Sequence, residues 1–470
     1  MKIMKAIVTL AAALCLAGTA SAKVTDFVNP FVGTTNFGTT NPGAICPNGM
    51  MSVTPFNVMG SDLNVYDKDS RWWSTPYCYE NKFFTGFSHV NLSGVGCPEL
   101  GLVLTMPTMG EVQPDHRIYG SEYTGEHAEP GYYTCDLSAY GIKVEATATT
   151  RTSAERYTFP AGRGNILVNL GEGLTNETGA WIRKISETEI EGMRLAGTFC
   201  YNSQAVFPVY FAIRINKVPS QGGFWKFQPQ MKGVEGAWTE DDGTYKVYKK
   251  YGREIAGNDV GYWFTFDTAE GEQVELQMGV SFVSCENAWE NLNAEQPKLE
   301  PGVSNFDSVL AAAGQAWEAD LSRIKVTGGT ERDKEVFYSA LYHTLIHPSI
   351  INDVNGEYPL MENQGVGKVP EGQTRYSVFS LWDTYRNLHQ LMTLVYPEKQ
   401  IDMVRSMVSM YQEWGWMPKW ELFGRETFTM EGDPAIAVIT DTWLKGLRDF
   451  DIETAYEAFV KSATTAGADN

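Results

Sequence analysis

The spacing of apolar residues changes once along this chain, near residue 286, and that change constrains the fold more than any other feature. From about 100 to 285 the period is near two. The stretch 143–150 alternates Val, Ala and Ala with polar partners, and 165–170, 189–198, 206–215, 262–266 and 273–283 are further apolar or alternating runs. Gly-, Asn- and Pro-bearing turns at 160–165 and 219–223 separate them. Successive side chains of a strand point to opposite faces, so short runs of this kind predict a β-sandwich. Beyond 286, Leu310, Ala313, Trp317 and Leu321 recur at helical spacing, as do Phe337, Leu341 and Leu345. Helices are also expected over 378–395, 398–412, 434–448 and 453–464, the third opened by Asp433 as N-cap with Pro434 in the first helical position.

The pattern predicts a multidomain chain, β then α: a leader over 1–22, an N-terminal β-sandwich over 23–285, a helical linker over 286–330, and over 331–470 the first helices of an incomplete (α/α)6 barrel. A ring of six helical hairpins needs about a dozen helices, and roughly five are legible here. An open half-ring leaves inner apolar faces unpaired, so the chain is expected to be a fragment of a longer protein. Aromatic residues near Trp414–Trp420 are then expected to be exposed, giving dye binding and aggregation.

Lys2 and Lys5, the apolar stretch 7–17 and Ala20-Ser21-Ala22 read as a secretory leader with its cleavage site, so the protein is expected to be exported, periplasmic or at the cell surface. Leu14 stands before Cys15 where a lipidation motif needs Gly or Ala, which favours cleavage over lipidation. No later segment approaches the roughly 18 apolar residues of a membrane span. Cys46, Cys78, Cys97, Cys135, Cys200 and Cys285 remain; export permits disulfides, buried free thiols are equally compatible, and no C-x-x-C pair suggests zinc. Asp plus Glu is 57 against 37 Lys plus Arg, a net charge of −20 that disfavours a nucleic-acid partner. Aromatic residues reach 13%. Such rings are mostly core, but they also stack on sugars.

The densest chemistry lies between 381 and 441. It runs through Leu381-Trp382-Asp383-Thr384-Tyr385-Arg386, Trp414-Gly415-Trp416-Met417-Pro418-Lys419-Trp420-Glu421 and Gly424-Arg425-Glu426-Thr427 to Met430-Glu431-Gly432-Asp433-Pro434. Tryptophans among carboxylates in Gly/Pro-rich loops suit a ligand cleft better than a core. Glu421, Glu426 and Glu431 are candidate acids or bases, since glycosidic cleavage commonly uses a carboxylate pair. Asp383 is either a helix-start acid or a sugar-hydroxyl acceptor, and Asp441 is expected to be solvated or paired. A second dense region joins Gly86-Phe87-Ser88-His89 to Leu92-Ser93-Gly94-Val95-Gly96-Cys97-Pro98, where glycines permit tight turns or close ligand approach. His343 and His347, spaced i, i+4, are expected as capping or core histidines rather than a metal pair.

These blocks, with Val28-Asn29-Pro30-Phe31-Val32-Gly33-Thr34, Pro42-Gly43-Ala44, Pro47-x-Gly49-Met50 and Pro130-Gly131-Tyr132-Tyr133, resemble glycoside hydrolase family 92, the exported exo-α-mannosidases. The resemblance implies a sandwich packed on an (α/α)6 barrel with sugar between them, and calcium-dependent, inverting hydrolysis of terminal α-mannose from glycans. It implies sugar contacts from His89, Gly94, Gly96 and Cys97 on the sandwich and from Trp382, Asp383 and Glu426 on the barrel. The family's acid, base and calcium ligands are expected beyond Asn470, so no residue here is assigned to those roles. Arg425, where relatives tend to have Asn, and Pro98-Glu99-Leu100-Gly101, where an Asp-bearing version is commoner, depart from the family pattern. Alternatives are a non-catalytic carbohydrate-binding protein and a related barrel glycosidase or phosphorylase.

Overall fold

The computed structural model describes residues 22–35, 38–59, 73–202, 204–232, 237–249 and 252–466. Except for Ala22, the expected leader lies outside the described residues. The alternating runs fold as strands Ile142–Ala148, Gly162–Asn169, Glu189–Gly197, Val206–Ile215, Val260–Thr268 and Glu272–Ser281. Among the described residues they join two large antiparallel sheets, of 8 and 10 strands. Gly86–Asn91 and Leu100–Met109 are adjacent in the first sheet, and Glu189–Gly197 lies in the second beside Val206–Ile215.

One apolar cluster fills the sandwich, with Phe87, Leu102, Ile166, Val168, Phe211, Ile213 and Val280 among its members. Each fully buried side chain of this size contributes roughly 1.5–3 kcal/mol. The alternation is weaker than in a sheet with one wet face, because helices cover the second sheet. Cys285–Glu295, capped by Ser284 accepting from the Asn287 N–H, packs on Glu272–Ser281. Phe306–Leu321 lies across Ile142–Ala148. Gly131 makes room for it, since a Cβ there would come within 2.9 Å of the Ala313 methyl.

The remaining helices build a second core. Leu388–Val395, Pro397–Trp414, Pro434–Leu444 and Ile452–Thr464 pack on one another, and Met403, Met407, Val438, Ile439 and Ala455 are buried. The helix expected over 378–395 is broken in two, Leu381–Thr384 and Leu388–Val395, with Asn387 outside the helical region between them, at φ −153° and ψ −25°. The helix bearing His343 is Glu331–Thr344, so His347 lies beyond its end and the two histidines do not share one helical face. The expected exposure of the tryptophans near 414–420 also needs correcting. Trp420 is buried because it packs on the sandwich, and Trp414 and Trp416 are half-buried. Among the described residues of this region, the exposed apolar side chains are instead Trp382, Leu394, Met430, Leu444, Tyr456 and Val460.

Candidate functional site

The sandwich contributes a glycine turn. It follows strand Gly86–Asn91, and Gly94 and Gly96 are exposed, with nothing within 4 Å of where a Cβ would stand on either. Four anchors hold this turn. The Ser93 N–H donates to His347 Nε2 at 3.2 Å, and the Gly94 N–H to the Thr39 carbonyl at 2.8 Å. Cys97 is bonded to Cys200, 103 residues away. Glu99, fully buried, accepts from the Leu100 and Gly197 N–H groups at 2.9 and 3.1 Å. His347 is held as the acceptor at Nε2 with Nδ1 facing Ser349 Oγ at 2.9 Å, and burial pushes its pKa down to about 4.

The helical region contributes a small three-stranded sheet. Phe379–Ser380 pairs with Trp420–Leu422, which pairs with Arg425–Glu426. The Glu426 carboxylate faces back into this loop, taking the Lys419 N–H at 2.8 Å and the Trp420 and Phe428 N–H groups at 3.0 Å each. Burial raises its pKa, against the effect of those donors. Glu421 is also buried. Its Oε1 accepts from Gly424 N–H and Ser377 Oγ, while Oε2 has no partner. Burial pushes its pKa up to about 8, against the Gly424 N–H, the Arg375 charge and the Ser377 hydroxyl. Arg425 pairs with Glu362 at 3.1 Å, and Glu362 also accepts from the Glu426 N–H at 2.8 Å. Asp383 and Trp382 are exposed, Asp383 accepting from Ser380 Oγ at 2.5 Å and the Arg386 guanidinium lying 5.3 Å from the Trp382 ring.

The two halves touch. Phe199 stacks on Trp420 with ring centroids 4.4 Å apart, and Asn202 Nδ2 donates to the Glu426 and Thr427 carbonyls at 3.3 and 3.2 Å. Arg425 also donates to the Gln204 carbonyl. A continuous chain of contacts therefore runs from Gly94–Cys97 through the disulfide, Phe199 and Trp420 to Ser380 and Asp383. Non-glycine residues with left-handed backbone gather along it: Leu100, Thr198, Cys200, Glu362, Val378, Phe423 and Phe428. Each costs on the order of 1–3 kcal/mol, and such strain clusters at functional sites.

His89 stands apart from this surface. It is fully buried in the sandwich, with Nδ1 2.7 Å from the Val103 carbonyl and Nε2 2.7 Å from Glu155 Oε1. Glu431 is exposed, and Asp441 pairs with Lys445. Cys200, Glu362 and His347 join the site without having been singled out for it in the sequence, because their partners lie tens to hundreds of residues away. A separate cavity of about 240 Å³ is lined by Tyr358, Thr374, Arg375, Ser406, Ser409 and Phe450, and no residue of the junction lines it.

Chemically, the junction presents an aromatic face, a solvent-facing carboxylate at Asp383 and exposed glycine backbone, a set that suits a polyhydroxylated ligand. Among the described residues no group of three or more His, Cys, Asp or Glu side chains is placed to hold a metal ion.

Two family models match nearly end to end: the glycosyl hydrolase family 92 N-terminal domain over residues 27–281 and its catalytic domain over 287–470. A family 92 alpha-mannosidase from Bacteroides thetaiotaomicron superposes with a TM-score of 0.81 at 30% identity, over 95% of this chain and 58% of that one. An inverting mannosidase of the same family and organism gives 0.77 at 24% identity, over 96% and 57%, a likeness of fold. An uncharacterized secreted glycosidase of Arthroderma benhamiae is 26% identical over 94% of this chain and 52% of its own length. The chain thus spans a little over half the length of the relatives it matches. With both domains matched in order and the junction between them built, the chain belongs to glycosyl hydrolase family 92.

Proposed function

We propose that this chain supplies the sandwich and part of the helical domain of an exported glycoside hydrolase that removes terminal α-linked mannose from glycans, with calcium dependence and inversion of configuration. The observation that carries the reading is the likeness to the Bacteroides thetaiotaomicron alpha-mannosidase, a protein also solved in complex with mannoimidazole. Support from the site comes from Trp382 and Asp383, which are exposed and adjoin Ser380, whose strand partner Trp420 stacks on Phe199 of the sandwich. Trp382 stacks on the apolar face of the sugar, Asp383 accepts hydrogen bonds from its hydroxyl groups, and the glycine turn lets the ring approach the backbone. Glu426 shapes the loop that carries Trp420, since its oxygens are already engaged by three backbone N–H groups. Inversion requires an acid on one side of the sugar and a base with a water on the other.

The test is the full-length gene product on an α-linked mannobiose, followed by NMR. Release of β-mannose first, lost on adding a chelator, supports the reading. Release of α-mannose first contradicts inversion, chelator-resistant turnover contradicts the calcium role, and absence of turnover contradicts the activity. The second reading, a sugar-binding chain without turnover, is favoured by the engaged oxygens of Glu426 and is refuted by turnover from the 470-residue chain alone.

A further inference from the structure

Glu99 occupies a position that packing alone does not explain. Its side chain is fully buried between the two arms that the disulfide joins, Cys97–Leu100 leading into strand Leu100–Met109 and Gly197–Cys200 leaving strand Glu189–Gly197. One carboxylate oxygen accepts from both arms, from the Leu100 N–H at 2.9 Å and the Gly197 N–H at 3.1 Å. The other oxygen is buried without a partner. The Gly197 N–H is shared with Thr175 Oγ1, also at 3.1 Å. The arms have little freedom elsewhere. Leu100, Thr198 and Cys200 have left-handed backbone, and a Cβ on Gly197 would come within 2.2 Å of the Ala205 carbonyl.

A buried carboxylate with an unpaired oxygen is costly, and a neutral side chain would fill the space more cheaply. What it provides here is geometric. The second arm carries Phe199, which stacks on Trp420, and Asn202, which holds the Glu426 loop. The first arm carries Gly94, Gly96 and Cys97. Fixing the arms to each other therefore fixes the glycine turn relative to the wall that holds Trp420 and, through Ser380, Asp383.

We propose that Glu99 is a positioning residue for sugar binding: by clamping Leu100 to Gly197 it sets the spacing between the glycine turn and the tryptophan wall. This rests on the α-mannosidase reading for its substrate, but the clamp itself is measured separately. In the full-length protein, Glu99→Ala is expected to raise KM for an α-mannoside about tenfold while kcat changes less than threefold. Glu99→Gln, which keeps an acceptor oxygen, recovers most of that loss, and Thr175→Val gives a smaller rise of the same kind. Hydrogen exchange in peptides covering 94–101 and 196–203 is expected to speed up about tenfold in Glu99→Ala, with the rest of the sandwich unchanged. Unaltered exchange there overturns the clamp whether or not the protein cleaves mannosides. Faster exchange with unchanged KM overturns the positioning role. An inactive wild type with faster exchange in the variant overturns the substrate reading and keeps the clamp. If Glu99→Ala does not fold, Glu99→Asp is read in its place, the shorter side chain reaching one arm and not both.

Discussion

Trp382 is 41% exposed, beside a carboxylate and under an arginine, so its removal costs little packing, and under the proposed function it removes a stacking surface for the sugar. Trp382→Ala is expected to weaken sugar binding about tenfold, roughly 1.4 kcal/mol, with the melting temperature nearly unchanged; titration calorimetry and a thermal melt check the two halves. Glu421 behaves differently. Its carboxyl is raised to about 8 when folded, against about 4.3 for an unfolded glutamate, so between those values the folded chain holds a proton that the unfolded chain has released. That contribution is complete below the lower value and is lost as pH rises through the upper one. Stability is therefore expected to fall from pH 5 to pH 8.5, by at most about 1.4 kcal/mol per pH unit for this group. Glu421→Gln should flatten the slope without abolishing it, since burial also raises Glu99 to about 7 and Asp259 to about 6; melts across that range decide it. At this scale the sequence was informative where chemistry is local. Trp382, Asp383 and the glycine turn were visible as dense blocks. The burial of His89 was not, because every residue of Gly86–Asn91 is buried, so alternation marks no outer face, and its partner Glu155 is 66 residues away.

Between elements, the contacts that define the site are long-range. The Cys97–Cys200 bond closes a loop with a separation of 103 residues, for which chain entropy predicts up to about 4.7 kcal/mol and measured bridges commonly give 2–4. Cys97→Ser with Cys200→Ser is expected to lose stability on that order in urea unfolding; an unchanged midpoint would contradict a structural bridge. Phe199 and Trp420 couple the same two regions, and a double-mutant cycle to alanine should return about 0.5–1.5 kcal/mol of interaction. Six of the 18 strands that the two large sheets hold among the described residues were legible from their period. Gln221–Lys232 and Ala237–Tyr248 were not, since Gly222, Gly223 and Pro229 interrupt the first and acidic residues fill the second. They are held as strands by pairing with each other and, for the first, with Val260–Thr268. Pairing between distant segments likewise overrides the helical pattern at 378–380, where Phe379–Ser380 is drawn into a sheet by Trp420–Leu422.

For the whole molecule, the order β then α followed from the change of period, because alternation and helical spacing demand different backbones. How the two parts meet did not follow from it. Trp420 looked like an inner-face aromatic of a helical ring, and it is buried against Phe199 of the sandwich. Exposed apolar surface lies instead on the helices, at Leu394, Leu444 and Tyr456, 76%, 73% and 64% exposed. The 470-residue chain is therefore expected to bind a hydrophobic dye, and Leu394→Glu with Leu444→Glu to reduce the signal while leaving the fold intact. The central claim is that sugar binds where the sandwich turn meets the tryptophan loops. Its most direct test is a crystal structure of the full-length protein with mannoimidazole. The ring is predicted to lie between Gly94–Cys97 and Trp382–Asp383; density in the cavity beside Arg375 and Ser409, with the junction empty, would contradict the account.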